Sequence, residues 1–142
     1  MSLFGAMSVS ASGMAAQRTR AELLVENLAN AETTRTAEGG PYRRKDAVFA
    51  SQPMAPSFGS LFESHLQEGV AVQEISLDTR APEKRYLPGH PDAGPDGYVA
   101  FPRINPAEDM VDLTGAARGF QANVAAISAV KDMIMRSIDL FK

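Results

Sequence analysis

The sequence predicts an α+β fold, with a long helix at each end and a small β-rich, loop-rich segment between them. Three observations carry this reading. All nine prolines lie between Pro41 and Pro106. Seven of the eleven glycines fall between Gly39 and Gly97. The stretches on either side keep a helical apolar rhythm. Proline breaks helices, so the two ends are free to form long ones and the middle is not. The boundaries fall at residues 1–36, 37–104 and 105–142.

The first segment reads as one helix. Leu3, Met7, Ser10, Met14, Gln17, Ala21, Leu24, Leu28 and Ala31 alternate steps of four and three, and seven of the nine are apolar. That is a heptad seam with two polar positions. Arg18, Arg20, Glu22 and Glu26 fall off it. The helix is expected to end near Thr33–Thr34, where β-branched residues precede Gly39-Gly40-Pro41.

The middle segment reads as short strands and turns. Tyr42 to Phe49 forms one strand. Val70 to Leu77 forms another, with a phase slip between Val72 and Ile75 that calls for a bulge. Tyr98 to Phe101 forms a third, entered through the Pro95-Asp96-Gly97 turn. Gln52 to Ser60 is the most loop-like stretch, and Phe58 to Gln67 reads as a short helix.

The last segment carries the strongest signals. Asn105 suits an N-cap, Pro106 the first helical position and Glu108 a capping-box acid. Glu108, Asp109 and Asp112 place negative charge at the positive end of the helix dipole, and Lys131, Arg136 and Lys142 oppose the negative end. The seam runs through Met110, Leu113, Ala117, Phe120, Val124 and Ile127, then drifts to Val130, Ile134, Ile138 and Phe141. Gly115, Gly119, Ala122, Ala126 and Ala129 form a second stripe of the smallest residues. Two interior glycines cost roughly 1 kcal/mol each relative to alanine. Either they loosen an exposed face, or another helix approaches closely there and this helix is packed on two sides.

Composition removes many chemistries. There is no cysteine, so disulfides, thiol catalysis and cysteine-ligated metals are excluded. With 14 basic against 17 acidic residues, nothing points to nucleic acid. No apolar run approaches the roughly 18 residues of a membrane span, so no direct membrane insertion is expected. The first basic residue is Arg18, so the start lacks the positive region of a cleaved secretory signal. No dinucleotide, phosphate-loop, zinc-helix or nucleophile-elbow motif is present. A calcium loop begun at Asp92 would have Gly94 third and Arg103 twelfth, where a glutamate is needed. His90, Asp92 and His65 therefore read as turn or surface residues. Arg43-Arg44-Lys45 reads as a solvated strand end, or as a contact for an acidic patch on a neighbouring subunit. No cofactor, metal or catalytic residue is expected.

Several stretches resemble a known family in order and spacing. Ser12-Gly13-Met14-Ala15-Ala16-Gln17, Glu26-Asn27-Leu28-Ala29-Asn30-Ala31-Glu32-Thr33-Thr34 and Gly39-Gly40-Pro41-Tyr42-Arg43-Arg44-Lys45 look like the N-terminal signature of the bacterial flagellar rod and hook axial proteins. Ala81-Pro82-Glu83, Gly89-His90-Pro91-Asp92-Ala93, Asp96-Gly97-Tyr98-Val99-Ala100, Asp109-Met110-Val111-Asp112 and Arg118-Gly119-Phe120-Gln121-Ala122-Asn123 resemble its proximal rod subunits. Gly119 departs from the serine or alanine more usual there.

The resemblance implies terminal helices paired as a coiled coil, assembled helically into a tube around an export channel, with an outer, partly β layer. It implies a structural role in motility, transmitting torque. The implied partners are further copies, other rod proteins, the MS-ring/export-gate adaptor at the rod base and the flagellar type III export apparatus. The implied location is the basal body within the periplasmic space, reached without a cleaved signal peptide. The expected assembly interface comprises Met14, Leu24, Asn27, Leu28, Asn30, Met110, Leu113, Gly115, Gly119, Phe120, Gln121, Asn123, Val124 and Ile127. The helices alone would also allow an intracellular coiled-coil adaptor, which leaves the turn motifs unexplained. An enzyme centred on His90 and Asp92 is the remote rival.

Overall fold

The computed structural model describes residues 3–53 and 68–140. The elements run α1 (Leu3–Ala29), β1 (Lys45–Pro53), β2 (Glu68–Leu77), β3 (Glu83–Tyr86), β4 (Tyr98–Phe101) and α2 (Pro106–Asp139). This is the expected α+β order, with long helices first and last. The expected helix over Phe58 to Gln67 lies outside the described residues.

α1 stops at Ala29, short of the expected Thr33–Thr34. The reason is Asn30. Its side-chain Nδ2 donates to the Glu26 carbonyl at 2.9 Å, while its backbone N–H is shared between the Glu26 and Asn27 carbonyls. The Thr33 hydroxyl then donates to the Asn30 side-chain oxygen at 3.1 Å. An asparagine amide satisfies the helix end before the β-branched pair is reached. The chain turns back through Gly39 and Gly40, whose φ values of 88° and 78° suit residues without a Cβ.

β1 and β2 form an antiparallel ribbon, and β3 and β4 form a second one. Val48 pairs with Glu74 and Phe49 with Val72, so Gln73 is the extra residue of a bulge. That is where the phase slip predicted it. β1 starts at Lys45 rather than Tyr42, because the Tyr42 backbone N–H is given to the Thr33 carbonyl at 3.0 Å instead of to a strand. β4 matches the expectation, while β3 was not foreseen. Its sequence Glu-Lys-Arg-Tyr is exposed throughout and has no apolar alternation to read.

At the start of α2, the Asn105 side chain accepts from the Ala107 N–H at 3.2 Å and Pro106 opens the helix. The 34 residues span roughly 51 Å. α2 packs along α1, and α1 also packs against β1 and β2. Within one chain, α1 is thus the helix covered on two sides, with α2 on one and the ribbon on the other. The second side expected for α2 is not filled from within the chain.

Candidate assembly interface

The best-buried cluster lies at the foot of the helix pair. Asn27 is 0% exposed. Its Nδ2 donates to the Lys45 carbonyl at 2.9 Å, and its Oδ1 accepts from the Lys45 N–H and the Tyr42 hydroxyl, both at 3.0 Å. One side chain therefore sets the path of the chain into β1. Leu23, Leu24, Tyr42, Phe101 and Ile104 are buried as well. Burial, reinforced by the nearby negative charge of Glu26, pushes the Tyr42 hydroxyl up to about 12.

Asp109 is likewise 0% exposed. The Arg44 Nη1 lies 2.8 Å from its Oδ1. Neither carboxylate oxygen receives a well-directed hydrogen bond, so charge alone holds the pair. Desolvation raises the Asp109 pKa despite Arg44, and Asp46, Asp112 and Glu108 add to the rise. Arg44 also donates to Asp46 at 3.1 Å, and Arg20 of α1 faces Asp112 at 3.4 Å. Arg44 is therefore largely buried between two carboxylates rather than sitting on a solvated strand end.

Above this foot the helices meet through small and polar residues. A Cβ on Gly13 would lie 3.1 Å from the Asn123 side chain, and one on Gly119 would lie 3.2 Å from the Gln17 side chain. Each glycine is a notch that receives an amide. The fully buried seam residues of α2 are Asp109, Ala116 and Val130, with Leu113, Phe120, Asn123, Ile127 and Ile134 half-buried. The expected seam shares Leu113, Phe120, Ile127, Val130 and Ile134 with it. Met110, Ala117, Val124 and Ile138 are exposed instead, and the places of the first three are taken by the preceding residues Asp109, Ala116 and Asn123; Phe141 lies outside the described residues.

The expected interface residues thus separate into groups. Leu24, Asn27, Leu113, Gly119, Phe120, Asn123 and Ile127 are engaged within the chain, and Asn30 caps α1. Met14 and Leu28 are half-buried. Met110, Gly115, Gln121 and Val124 face outward, with Met110 59% and Val124 40% exposed. A Cβ on Gly115 would meet nothing within 4 Å, whereas Gly119 is crowded, so the small stripe is divided between a covered edge and an open one.

The exposed apolar set extends beyond that expectation. Val111, Met133, Met135, Ile138 and Leu140 on α2 are open, as are Phe4 and Val25 on α1. At 100° per residue, Met110, Ala117, Val124 and Met135 line one flank of α2. Val111, Gly115, Ala122, Ala126, Ala129 and Met133 line the other, and Arg118, Asp132 and Arg136 run along the outermost edge. The signal was present in the sequence: α2 holds more large apolar residues than one seam can bury.

A cleft of about 640 Å³ beside the foot of α2 is lined by Arg44, Arg80 and Arg103 with Asp46, Glu83 and Glu108. It sets equal numbers of fixed charges against one another and contains no nucleophile beside a base. Among the described residues, no cluster of histidine and carboxylate side chains could hold a metal ion. Also among these, no helix is long and apolar enough to cross a membrane. Asp92 is more than a local turn residue: the Thr34 hydroxyl donates to its Oδ2 at 2.7 Å across 58 residues.

Comparison with known proteins places this geometry. Residues 96–140 match the family model described as the flagellar basal body rod FlgEFG protein C-terminal region. Over its whole length the chain is 38% identical to the flagellar basal-body rod protein FlgC of Bacillus subtilis, covering 100% of that protein. It is 34% identical to the protein of the same name from Borreliella burgdorferi, covering 100% of the chain and 99% of the relative. The FlgC of Salmonella typhimurium is 34% identical, with 99% of the chain and 98% of the relative covered.

Proposed function

The chain belongs to the family of flagellar basal-body rod proteins FlgC, and from that premise we propose how its helix pair builds a rod. It is a structural subunit of the proximal rod and not an enzyme. The observation that carries the reading is α2: one side packs on α1, while its two flanks keep apolar residues in water. Exposed apolar surface of this extent marks a protein contact. The flanks differ, one bearing Met110, Val124 and Met135 and the other being small-residue rich. Unlike surfaces meeting head-to-tail generate an open helix of subunits rather than a closed dimer.

In this reading residues 1–36 and 105–142 form the inner layer around an export channel, and residues 37–104 form the outer layer. Met110, Gly115, Gln121 and Val124 carry contacts between subunits. Leu24, Asn27, Gly119 and Asn123 shape the monomer that presents them. Its partners are further copies, other rod proteins, an adaptor between the MS ring and the export gate, and the type III export apparatus. The rod stands in the periplasmic space, and the chain arrives there without a cleaved signal peptide. Torque passes through the packed helices.

The test is a clean gene deletion combined with electron microscopy of basal bodies carrying a labelled chain. The expected result is loss of swimming and of filaments, with the label on the proximal rod in the complemented strain. Normal motility in the deletion strain, or label away from the rod, overturns the reading.

A further inference from the structure

One length of the helix pair is free of charge around its whole circumference. α1 carries no charged residue from Leu3 to Gln17, and α2 carries none from Gly119 to Val130. The two runs lie at the same level, because Gln17 stands at Gly119 and Gly13 at Asn123. The side of α2 that faces water here is alanine, serine, glutamine and Val124. On α1 it is Leu3, Phe4, Ser8, Ala11 and Ala15. A surface that stays in water normally intersperses charges of both signs. A patch empty of charge, with charged residues at its margin, has instead the composition of an interface core and its rim. On the side of the foot, Arg18 pairs with Glu22 at 2.9 Å and Arg20 with Asp112 at 3.4 Å. Two further charges bound the run on α2 itself. Arg118 stands just before it and Asp132 just after it, both exposed. Neither makes an ion pair or a side-chain hydrogen bond among the described residues.

We propose that copies of this chain lie parallel and side by side with a stagger of two heptads, so that Asp132 of one meets Arg118 of the next. The proposal deepens the rod reading above and rests on it. The two charges are 14 positions apart on α2, roughly 21 Å along the axis, too far to pair within one chain. At 100° per residue they fall about 40° short of full turns. That turns Asp132 towards the flank of Met110 and Val124 and leaves Arg118 nearer the small-residue flank. In a head-to-tail contact one flank meets the other flank of the next copy, so the two charges approach from the two sides of one contact. Other staggers lack this match. With none, each charge meets its own kind. With 18 positions, Arg136 meets Arg118. The uncharged length supplies the adhesion and the charge pair selects the register, as charges beside a coiled-coil seam do. The same stagger brings Met135 close to the level of the neighbouring copy's Ala122, a large side chain over a small one.

The chain has no cysteine, which gives a clean background for cross-linking. Arg118→Cys/Asp132→Cys is expressed in the deletion strain, and purified basal bodies are treated with a short bis-maleimide. The linker cannot span the two positions within one chain, so every product joins two copies. A ladder of dimers, trimers and larger species on a denaturing gel is expected, because each copy has a neighbour on either side. Arg118→Cys alone and Asp132→Cys alone should stay monomeric. Linking in either single variant would reveal a symmetric or unstaggered contact and overturn the proposal. An assembled rod that contains the double variant but yields no ladder overturns it too, while leaving the rod reading in place; a parent chain absent from the rod sinks both. Charge reversal supplies a second measurement that needs no cysteine. Arg118→Asp and Asp132→Arg each set like charges together, and each should lose rod formation and swimming. The double reversal should restore them. A double variant that swims no better than either single one overturns the stagger, whether or not the cysteine variant assembles.

Discussion

Replacing Asn27 by alanine removes three hydrogen bonds at one buried point: Nδ2 to the Lys45 carbonyl, and the Lys45 N–H and Tyr42 hydroxyl to Oδ1. At roughly 1–1.5 kcal/mol per bond, the loss comes to about 3–5 kcal/mol, a large share of the roughly 5–15 kcal/mol that holds a domain together. With a urea slope of about 2 kcal/mol/M, the midpoint of the helical circular dichroism transition should fall by about 2 M. Asn27→Asp separates the hydrogen bonding from the packing. The carboxylate keeps the acceptor for Lys45 N–H and Tyr42 but turns a bare oxygen toward the Lys45 carbonyl. Protonation restores a donor there, so the aspartate pKa in the folded variant must lie above its unfolded value near 3.9. Its penalty relative to the parent is full above that folded pKa and shrinks as the pH falls through it. A midpoint for Asn27→Ala within about 0.5 M of the parent would refute the reasoning. So would an Asn27→Asp penalty that grows on acidification.

Gly119→Leu should lower the urea midpoint, because the added side chain meets Gln17 of α1. Overpacking of this kind costs about 1–3 kcal/mol, and rods should fail to form in the variant strain while the chain is still exported. Val124→Asp should leave the monomer midpoint unchanged, since Val124 faces water, yet block rod assembly; assembled rods in that strain would show the flank to be free. The Tyr42 hydroxyl is held up at about 12 against 10 for an ordinary tyrosine. The folded state thus keeps its proton where the unfolded state loses it. Stability should be level below pH 10 and fall as the pH rises from 10 towards 12. That fall should be absent from Tyr42→Phe, as read from urea midpoints at pH 9 and 11.

The parts of the fold written in local chemistry were legible. The Asn105-Pro106 start of α2 needs only a cap and a fixed φ, and the Gln73 bulge needs only the break in alternation between Val72 and Ile75. What failed were inferences that count apolar residues. The seam of α2 runs through Asp109 and Asn123, which a hydrophobic tally skips in favour of Met110 and Val124 one position on. Asp109 is buried because Arg44 stands there, and Asn123 because Gly13 opposite leaves room, and neither partner is visible from α2 alone. The same applies to Asn27: its motif was recognised, but its bonds to Tyr42 and Lys45 depend on how the chain returns after Gly40. The Thr34–Asp92 fastening joins two loops far apart in sequence, and no pattern of spacing announces it.

The two glycine notches have a mechanical consequence. If α2 slid along α1 by one heptad, roughly 10.5 Å, residues equivalent in apolar character would replace one another, so greasy contact alone would oppose the slip only weakly. The notches would not permit it. Gln17 would then face Asp112 or Ala126, each with a Cβ, in place of Gly119, and Asn123 would no longer lie over Gly13. Arg20 would lose Asp112 at the same step. Axial shear on the hairpin is thus resisted by interlocking shape rather than by oiliness, and the pair behaves as a keyed shaft that holds its stagger until it yields.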